Sequence, residues 1–576
     1  MLGFGRNVTL SPLLLIGMLV LGGVCAGHSR AQSEADESAS VAVRSPESAN
    51  LEETVAPSRF VATVDKLEKT LDTAFQGVVG VLATLLFFSV LGPNYPFPFV
   101  VAVLVVGAIV FTVAHGFINF RGFWHGIQLV RGKYAEADDP GDVSHFRALT
   151  SALSATVGLG NIAGVAIAIT AGGPGAVLWM MFLGLFGMSS KFHECTLGQL
   201  FRQFNPDGSV SGGPMHYLDK GLKQKGPAWG VLGKVLAIMS CVMIIGGSLG
   251  GGNMFQANQA FSAFHATFIE PPTAVSTEAP TDAASVRAQS PAGAPTVLTE
   301  ARLARLRVSA LFGIALAFLV GLVILGGITR IGAATSRIVP AMCGIYVVAS
   351  LSIIFFNLGR VPEMIGTIFA GAFNPSAAFG GIVGVMVQGF KRAAFSNEAG
   401  LGSAAIAHSA AKTKEPVREG LVALLEPFID TIVICFMTSM VILITKANLE
   451  EGLEGAAVTT FAFRSLSEWF PAILTVCIVL FAYSTMISWC YYGERAWSYL
   501  FGFRSLVIFR ILFVFFVFFG SIMNLGSVLD FSDLMILCMA FPNIVGGIIL
   551  IPLVRRHLKD YWSRYRSGQM TPRPDR

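Results

Sequence analysis

Two short stretches of this sequence place side-chain oxygens and closely spaced glycines inside apolar runs. The first reads Ser154-Ala155-Thr156-Val157-Gly158-Leu159-Gly160-Asn161-Ile162-Ala163-Gly164; the second reads Phe395-Ser396-Asn397-Glu398-Ala399-Gly400-Leu401-Gly402-Ser403. Each carries a Gly-Leu-Gly flanked by polar residues. Gly costs about 1 kcal/mol relative to Ala within a helix, so two this close favour local unwinding. Within a bilayer, unwound backbone is tolerated only where it lines a cavity or binds something. Its exposed N–H groups and the helix N-terminus that follows suit a carboxylate. Its freed carbonyls, with the oxygens of Asn161 and Ser396, suit a small hard cation. Close helix packing accounts for one such motif alone. Two at corresponding positions, each beside Asn or Ser, point instead to a binding site.

Other polar residues in apolar surroundings have two readings each. The adjacent hydroxyls of Ser484 and Thr485 are cation ligands or bond back to their own helix. Asn253 and Gln256 follow the helix-weakening Gly250-Gly251-Gly252 and could meet a ligand's amine or carboxylate, or tie helices together. Trp489 is a lid, a pocket wall or interfacial packing. Charges within spans are costly and default to function. Glu398 and Asp430 are the deepest carboxylates, open to cation coupling or to structural pairing; Lys391 and Arg392 lie one to two turns before Glu398. Glu426 sits nearer the inner side, Lys191 and Glu194, spaced i,i+3 near an inner end, pair or snorkel, and His408 reads as a packed or hydrogen-bonded residue rather than a proton carrier.

The elements that must position these residues are membrane helices. Of 576 residues, 53% are hydrophobic and 13% charged, about half the charged share of soluble domains. That composition excludes a disordered chain, an ordinary nucleic-acid binder and a typical cytosolic enzyme. The apolar runs give spans at 97–115; at 147–170, 174–198, 229–251, 308–328 and 339–357; and at 379–410, 421–445, 470–492, 506–523 and 531–554. The alternate loops 118–147, 201–228, 329–338, 412–419, 493–505 and 555–576 hold 22 of the 40 Lys and Arg, which places them in the cytoplasm. The basic tail 555–576 is then cytoplasmic and the N-terminus exported. Residues 1–26 read as a signal peptide, with Arg6, the apolar run 10–24 and Cys25-Ala26-Gly27. Residues 27–96 read as an exported linker ending in an interfacial apolar segment, and 270–305 as an external Pro/Ala/Ser-rich insertion. Seven of the eight cysteines lie in apolar runs without metal-site spacing, as buried small hydrophobes.

The core spans divide as five (147–357) plus five (379–554), entering from opposite sides, and each group begins with a Gly-Leu-Gly helix. This is the parity of an inverted repeat. Val157-Gly158-Leu159-Gly160-Asn161 resembles the broken first helix of sodium-coupled LeuT-type transporters. The strings 160–166, Gly172-Gly173-Pro174-Gly175-Ala176, 395–403 with Ile406-Ala407-His408, Gly252-Asn253-Met254-Phe255-Gln256 and Trp489-Cys490-Tyr491-Tyr492-Gly493-Glu494 resemble the alanine-or-glycine:cation symporter family. The resemblance covers residues 97–554. It implies an all-α integral membrane protein with a LeuT-type 5+5 inverted repeat, two discontinuous helices and one extra N-terminal transmembrane helix at 97–115.

Further implications are residue by residue. The substrate carboxylate would meet the backbone of Gly158, Leu159 and Gly160, with Phe395, Gly400, Gln256, Asn253 and Trp489 around the pocket. One sodium ion would take Asn161 and Ser396; a second would take the Ser154 and Val157 carbonyls with Ser484 and Thr485. The resemblance further implies sodium-coupled uptake of a small neutral amino acid, alanine or glycine, by a monomer in the inner (plasma) membrane, with no nucleic-acid partner. A proton-coupled carrier using Glu398 or Asp430, and a transporter-derived amino-acid sensor, are the alternatives. The sequence shows no nucleophile elbow, metal cluster or paired catalytic acids of an enzyme.

Overall fold

The computed structural model describes residues 97–136, 138–205, 208–269, 300–324, 327–373 and 379–570, with residue 572 and scattered positions between 70 and 92 and at 95. The expected signal peptide, most of the 27–96 linker and residues 270–299 of the insertion lie outside the described residues; residues 300–305 open a helix.

The described chain is helical apart from one two-residue hairpin, β1 Gln203–Phe204 against β2 Val210–Ser211. The order is α1 Phe99–Ala114, α2 His145–Thr156, α3 Ala163–Gly172, α4 Ala176–Leu200, α5 Pro214–Lys223, α6 Pro227–Leu249, α7 Phe255–Phe268, α8 Glu300–Ile324 and α9 Gly327–Phe356. There follow α10 Val361–Ala372, α11 Phe379–Asn397, α12 Ala404–His408, α13 Pro416–Ala423, α14 Phe436–Thr445, α15 Ala456–Ala462, α16 Phe470–Phe501, α17 Leu506–Ile522, α18 Leu525–Cys538 and α19 Ala540–Arg566. Short helical pieces at Ile118–Arg121, Phe123–Val130 and Leu425–Pro427 complete the helical turns that matter below. Pro at the first turn opens α5, α6, α13 and α16, where its missing N–H has no intrahelical partner to lose.

Among the described residues, seven helices are long and apolar enough to cross a membrane. The other four expected spans fall short for visible reasons. Helix α1 has 16 residues, and α4 carries Lys191, His193 and Glu194 in one half. The two Gly-Leu-Gly runs are each cut in two: α2 stops at Thr156 before α3 starts at Ala163, and α11 stops at Asn397 before α12 starts at Ala404. The helix at the expected span 229–251 is longer than that span. A π-helical turn at Gly250–Met254 joins α6 to α7, so helix continues to Phe268. A second π-helical segment, Phe428–Cys435, leads into α14. Ahead of α1 the chain doubles back, with Val90 N donating to Phe97 O at 3.0 Å and Phe88 stacked on Phe99.

The outer faces are apolar. Val113, Leu311, Phe318, Phe355, Phe356, Val507 and Ile511 are all exposed, while Ser154, Asn161, Ser396, Asp430 and Ser484 are fully buried. This polarity, inverted relative to a protein in water, is what a hydrocarbon solvent requires. Helix α4 packs along α11, α12 and α13, and α16 packs against α2, α6, α7 and α9. The two interruptions are therefore held at the centre.

Candidate functional site

The first interruption begins where Val157 leaves helical geometry at φ −76°, ψ 86°. Its amides are taken by side chains. Gly158 N donates to Asn161 Oδ1 at 2.9 Å, and Leu159 N donates to Gln256 Oε1 at 3.2 Å. Gln256 is held in turn by donating Nε2 to Gly251 O at 2.9 Å. The acceptor role of Asn161 Oδ1 fixes the amide's orientation, so Nδ2 is the group that points across to the second half of the chain.

There Asn161 Nδ2 donates to Asp430 Oδ1 at 2.5 Å and to Asp430 O at 3.1 Å. The other carboxylate oxygen, Oδ2, accepts from Ser396 Oγ and Thr431 Oγ1, both at 2.8 Å. Cys435 Sγ lies 3.4 Å from Asn161 Nδ2 and 3.3 Å from Ser396 Oγ. Asn397 Nδ2 donates to Thr431 Oγ1 and its Oδ1 accepts from Ala399 N, which anchors the second interruption to the π-helical segment. Among the described residues Asp430 makes no ion pair; its three side-chain partners are neutral donors. A carboxylate so buried calls for a counter-charge.

A second polar patch lies on the other side of Gly158. Thr485 Oγ1 donates to Ser154 O at 3.0 Å, Ser154 Oγ donates to Ser484 O at 2.9 Å, and Ser488 Oγ donates to Ser154 Oγ at 3.0 Å. The two hydroxyls of the Ser484-Thr485 pair thus part. Ser484 Oγ bonds back to Phe481 O of its own helix, and Thr485 reaches across to the interrupted one. The glycines keep these patches close. A Cβ at Gly158 would collide with the Thr485 hydroxyl and lie 3.3 Å from Gln256 Oε1; one at Gly160 would lie 3.2 Å from Ser396 Cα and 3.5 Å from the Phe395 ring. Phe395 also packs edge-on against Phe255, centroids 4.9 Å apart, and so walls the Gly160 side.

The second interruption is built differently. Glu398, Gly400 and Gly402 have φ of 54°, 85° and 84°. The left-handed turn at Glu398 is held by Ser403 Oγ donating to its Oε2 at 2.5 Å, and Gly402 N donates to Glu194 Oε2 at 3.0 Å. Gly400 O accepts from Asn543 Nδ2 at 2.8 Å.

Ser154, Val157, Gly158, Leu159, Gly160, Asn161, Gln256, Phe395, Ser396, Asp430, Ser484 and Thr485 thus lie at or next to the first interruption. Four expected residues lie elsewhere. Asn253 Nδ2 donates to Phe513 O of α17, because the π turn directs it away from Gln256. The Trp489 ring fills the space at Gly252 and Gly247, between α16 and α6. Gly400 faces Leu104 and Ile544. Glu398 turns back on Ser403. The expected pairing of Lys391 and Arg392 with Glu398 is replaced by a pairing with Asp533 of α18. Thr431, Cys435, Asn397, Ser488 and Asn543 were not singled out from sequence. Pro427 with Asp430 just beyond it, at the irregular end of an apolar run, is the signal that could have drawn attention to the first two.

The model of the family described as the sodium:alanine symporter family matches residues 86–575. The chain belongs to that family. The sodium/alanine symporter AgcS of Methanococcus maripaludis is 37% identical over 468 residues, covering 81% of this chain and 94% of that protein. The probable sodium/glutamine symporter GlnT of Bacillus subtilis is 30% identical over 473 residues, covering 81% and 89%. A crystal structure of MhsT in complex with L-phenylalanine aligns at TM-score 0.46 and 15% identity, over 71% of this chain and 98% of that one. As a member of the sodium:alanine symporter family the chain is a multi-pass membrane transporter rather than an enzyme, a sodium-coupled amino-acid symporter in kind.

Proposed function

We propose that this symporter imports small neutral amino acids, alanine and glycine, with sodium, by alternating access between the two faces of the membrane. The observation that carries the reading is the meeting of both interruptions on one carboxylate that has no ion-pair partner among the described residues, through Asn161 and Ser396 on Asp430. A sodium ion there would neutralise Asp430 with the Ser396 oxygen and with Asn161 Oδ1, which turns to the ion once the substrate takes its place on Gly158 N. A second would use the Ser154 and Val157 carbonyls with Thr485 and Ser484. The substrate carboxylate would replace the Gln256 and Asn161 oxygens on the amides of Gly158 and Leu159, and extend to Gly160. The closeness of Phe395, Gln256 and Thr485 to the two glycines supports a small side chain.

The same reading takes the fold as a LeuT-type 5+5 inverted repeat, 147–357 and 379–554, preceded by the extra helix at 97–115. It places the N-terminus outside, the 555–576 tail in the cytoplasm, and one chain as the working unit in the plasma membrane. Coupling to one charge across 100 mV supplies about 2.3 kcal/mol. At about 1.4 kcal/mol per tenfold, this supports roughly fifty-fold accumulation before any sodium gradient is counted. Uptake of a panel of labelled amino acids into proteoliposomes, with and without sodium, tests it. Sodium-stimulated uptake of alanine and glycine is expected. Uptake that ignores sodium but follows pH would support a proton-coupled carrier, and binding without flux a sensor.

A further inference from the structure

A second buried polar cluster lies apart from the residues assigned to substrate and sodium. His408 closes α12, the piece after the second interruption, and His145 opens α2, the piece before the first. Between them stand Glu419 of α13 and Glu426 of the turn that follows it, with Lys191 of α4. His408, Glu419, Glu426 and Lys191 are 0% exposed, and His145 is buried. Bulk solvent therefore does not reach them, and the protein's own groups have to balance one another.

Its contacts allow the hydrogens to be counted. His408 Nδ1 meets Glu419 Oε1 at 2.6 Å, and its Nε2 meets Glu426 Oε1. The remaining oxygen of Glu419 meets His145 Nδ1, and that of Glu426 accepts from Lys191 Nζ at 3.0 Å. Ionised carboxylates only accept, and a neutral imidazole carries one N–H. His145 needs only its ordinary proton on Nδ1, and its Nε2 has no partner among the described residues, as befits a neutral ring. His408 cannot be satisfied this way, since both its nitrogens face carboxylate oxygens. Two hydrogens are required there. Either His408 is an imidazolium, or one of the two glutamates is a carboxylic acid. Both assignments hold one proton beyond a neutral ring between two carboxylates. Without it, one close N···O contact has no hydrogen, in a place where an unmade bond is most costly.

We propose that His408, Glu419 and Glu426 form a proton-binding site on which transport depends, its proton fastening the inner pieces of both interrupted helices to α4 and α13. The groups facing it from the packed elements are Lys191, Glu194 and Cys195 on α4, His145 on α2, Tyr492 on α16, Arg202 just past α4, and Glu398 just past α11, itself held by Ser403. Glu194 is engaged with Gly402 N and Asn543 Nδ2, and Arg202 with the carbonyls of Ser409, Ala411 and Thr413. None of them supplies the missing hydrogen. When the proton leaves, the tie between α12, α13 and the Glu426 turn loosens, so its stabilising effect is present at lower pH and lost as pH rises.

One isosteric change isolates the proton. In Glu419→Gln the amide oxygen accepts from His145 and the amide nitrogen donates to His408 Nδ1, leaving His408 Nε2–H for Glu426. Every contact is kept with one proton fewer. The test is the melting temperature of the purified full chain from about pH 6 to about pH 10, paired with sodium-driven alanine uptake over the same range. The native chain is expected to lose melting temperature on alkalinisation, and its uptake to fall about tenfold per pH unit once the site empties. Glu419→Gln is expected to be flat in both. If it fails to fold, His408→Gln, which donates two amide hydrogens and does not titrate, is expected to be flat in its place. A flat native melting profile, or a variant that follows the native slope, overturns the site. Melting that responds to pH while uptake does not overturns its link to transport. The melting arm requires no particular substrate, so it separates failure of this site from failure of the alanine assignment.

Discussion

Asp430→Asn separates charge from shape at the junction of the two interruptions. The amide can turn its oxygen to Asn161 Nδ2 and its nitrogen to the Ser396 and Thr431 hydroxyls, which rotate to accept. The three side-chain contacts then survive in number, and the expected loss of stability is about 1 kcal/mol or less. Sodium binding has no such escape. A full charge about 4 Å from a cation is worth about 4 kcal/mol at an effective dielectric of about 20. If relaxation recovers a third of that, about 2.7 kcal/mol remains, about a hundredfold in affinity. Sodium at a hundred times its dissociation constant stabilises the native chain by about 2.7 kcal/mol; after a hundredfold weakening the same concentration gives about 0.4 kcal/mol. Two assays read this out: the sodium concentration for half-maximal alanine uptake, and the rise in melting temperature when sodium replaces choline. The variant should need about a hundredfold more sodium and lose most of the melting response. An unchanged half-saturation together with an unchanged melting response would show that Asp430 only ties the helices together.

Four further outcomes are expected. Asn161→Ala removes the group that bonds both Gly158 N and Asp430; sodium-stimulated uptake should vanish, and an unaltered sodium dependence would refute its role. Gly160→Leu drives a side chain toward Ser396 Cα and the Phe395 ring and should block transport, whereas a normal rate would reduce the break to a packing device. Thr485→Val should weaken sodium dependence about tenfold or more and Ser484→Ala less, because of the two hydroxyls it is the Thr485 one that already reaches the interrupted helix while Ser484 bonds back to Phe481 O; equal effects in the two would contradict this. A reporter fused at residue 65 should be found outside the cell, and a cytoplasmic signal would invert the proposed orientation.

What the sequence made legible was local. Paired glycines weaken a helix wherever they sit, so both interruptions and most of their polar neighbours could be located without coordinates. What it hid depends on rotation and on distant partners. Asn253 and Gln256 come from the same glycine-rich string, yet the π turn at Gly250–Met254 rotates Asn253 onto Phe513 and leaves Gln256 on Leu159. A π turn has no strong signature in composition, and it commonly occurs at functional places. The Phe428–Cys435 segment is the same case, and it delivers Asp430, Thr431 and Cys435 to one point. The charged pairs misled for another reason. Lys391 and Arg392 are near Glu398 along the chain, but Glu398 lies in a left-handed turn beyond the end of α11 and bonds to Ser403. Its basic neighbours are left to Asp533 on a different helix.

The two Gly-Leu-Gly strings look interchangeable in sequence and are not so physically. Gly400 and Gly402 have left-handed φ, where a Cβ costs roughly 1–2 kcal/mol whatever the surrounding space. They give the second interruption a shape fixed by its own backbone, braced by Glu194 and Asn543. Gly158 and Gly160 are absent from the left-handed set. They are required because Thr485, Gln256, Ser396 and Phe395 come too close for a side chain. The first interruption is thus shaped from outside, its amides held by Asn161 and Gln256 side chains that a ligand's oxygens could replace one for one. A rigid turn facing an exchangeable one is a sound division of labour for a carrier. The backbone that exchanges partners can follow its ligand, while the backbone that does not keeps Ser396 within reach of Asp430.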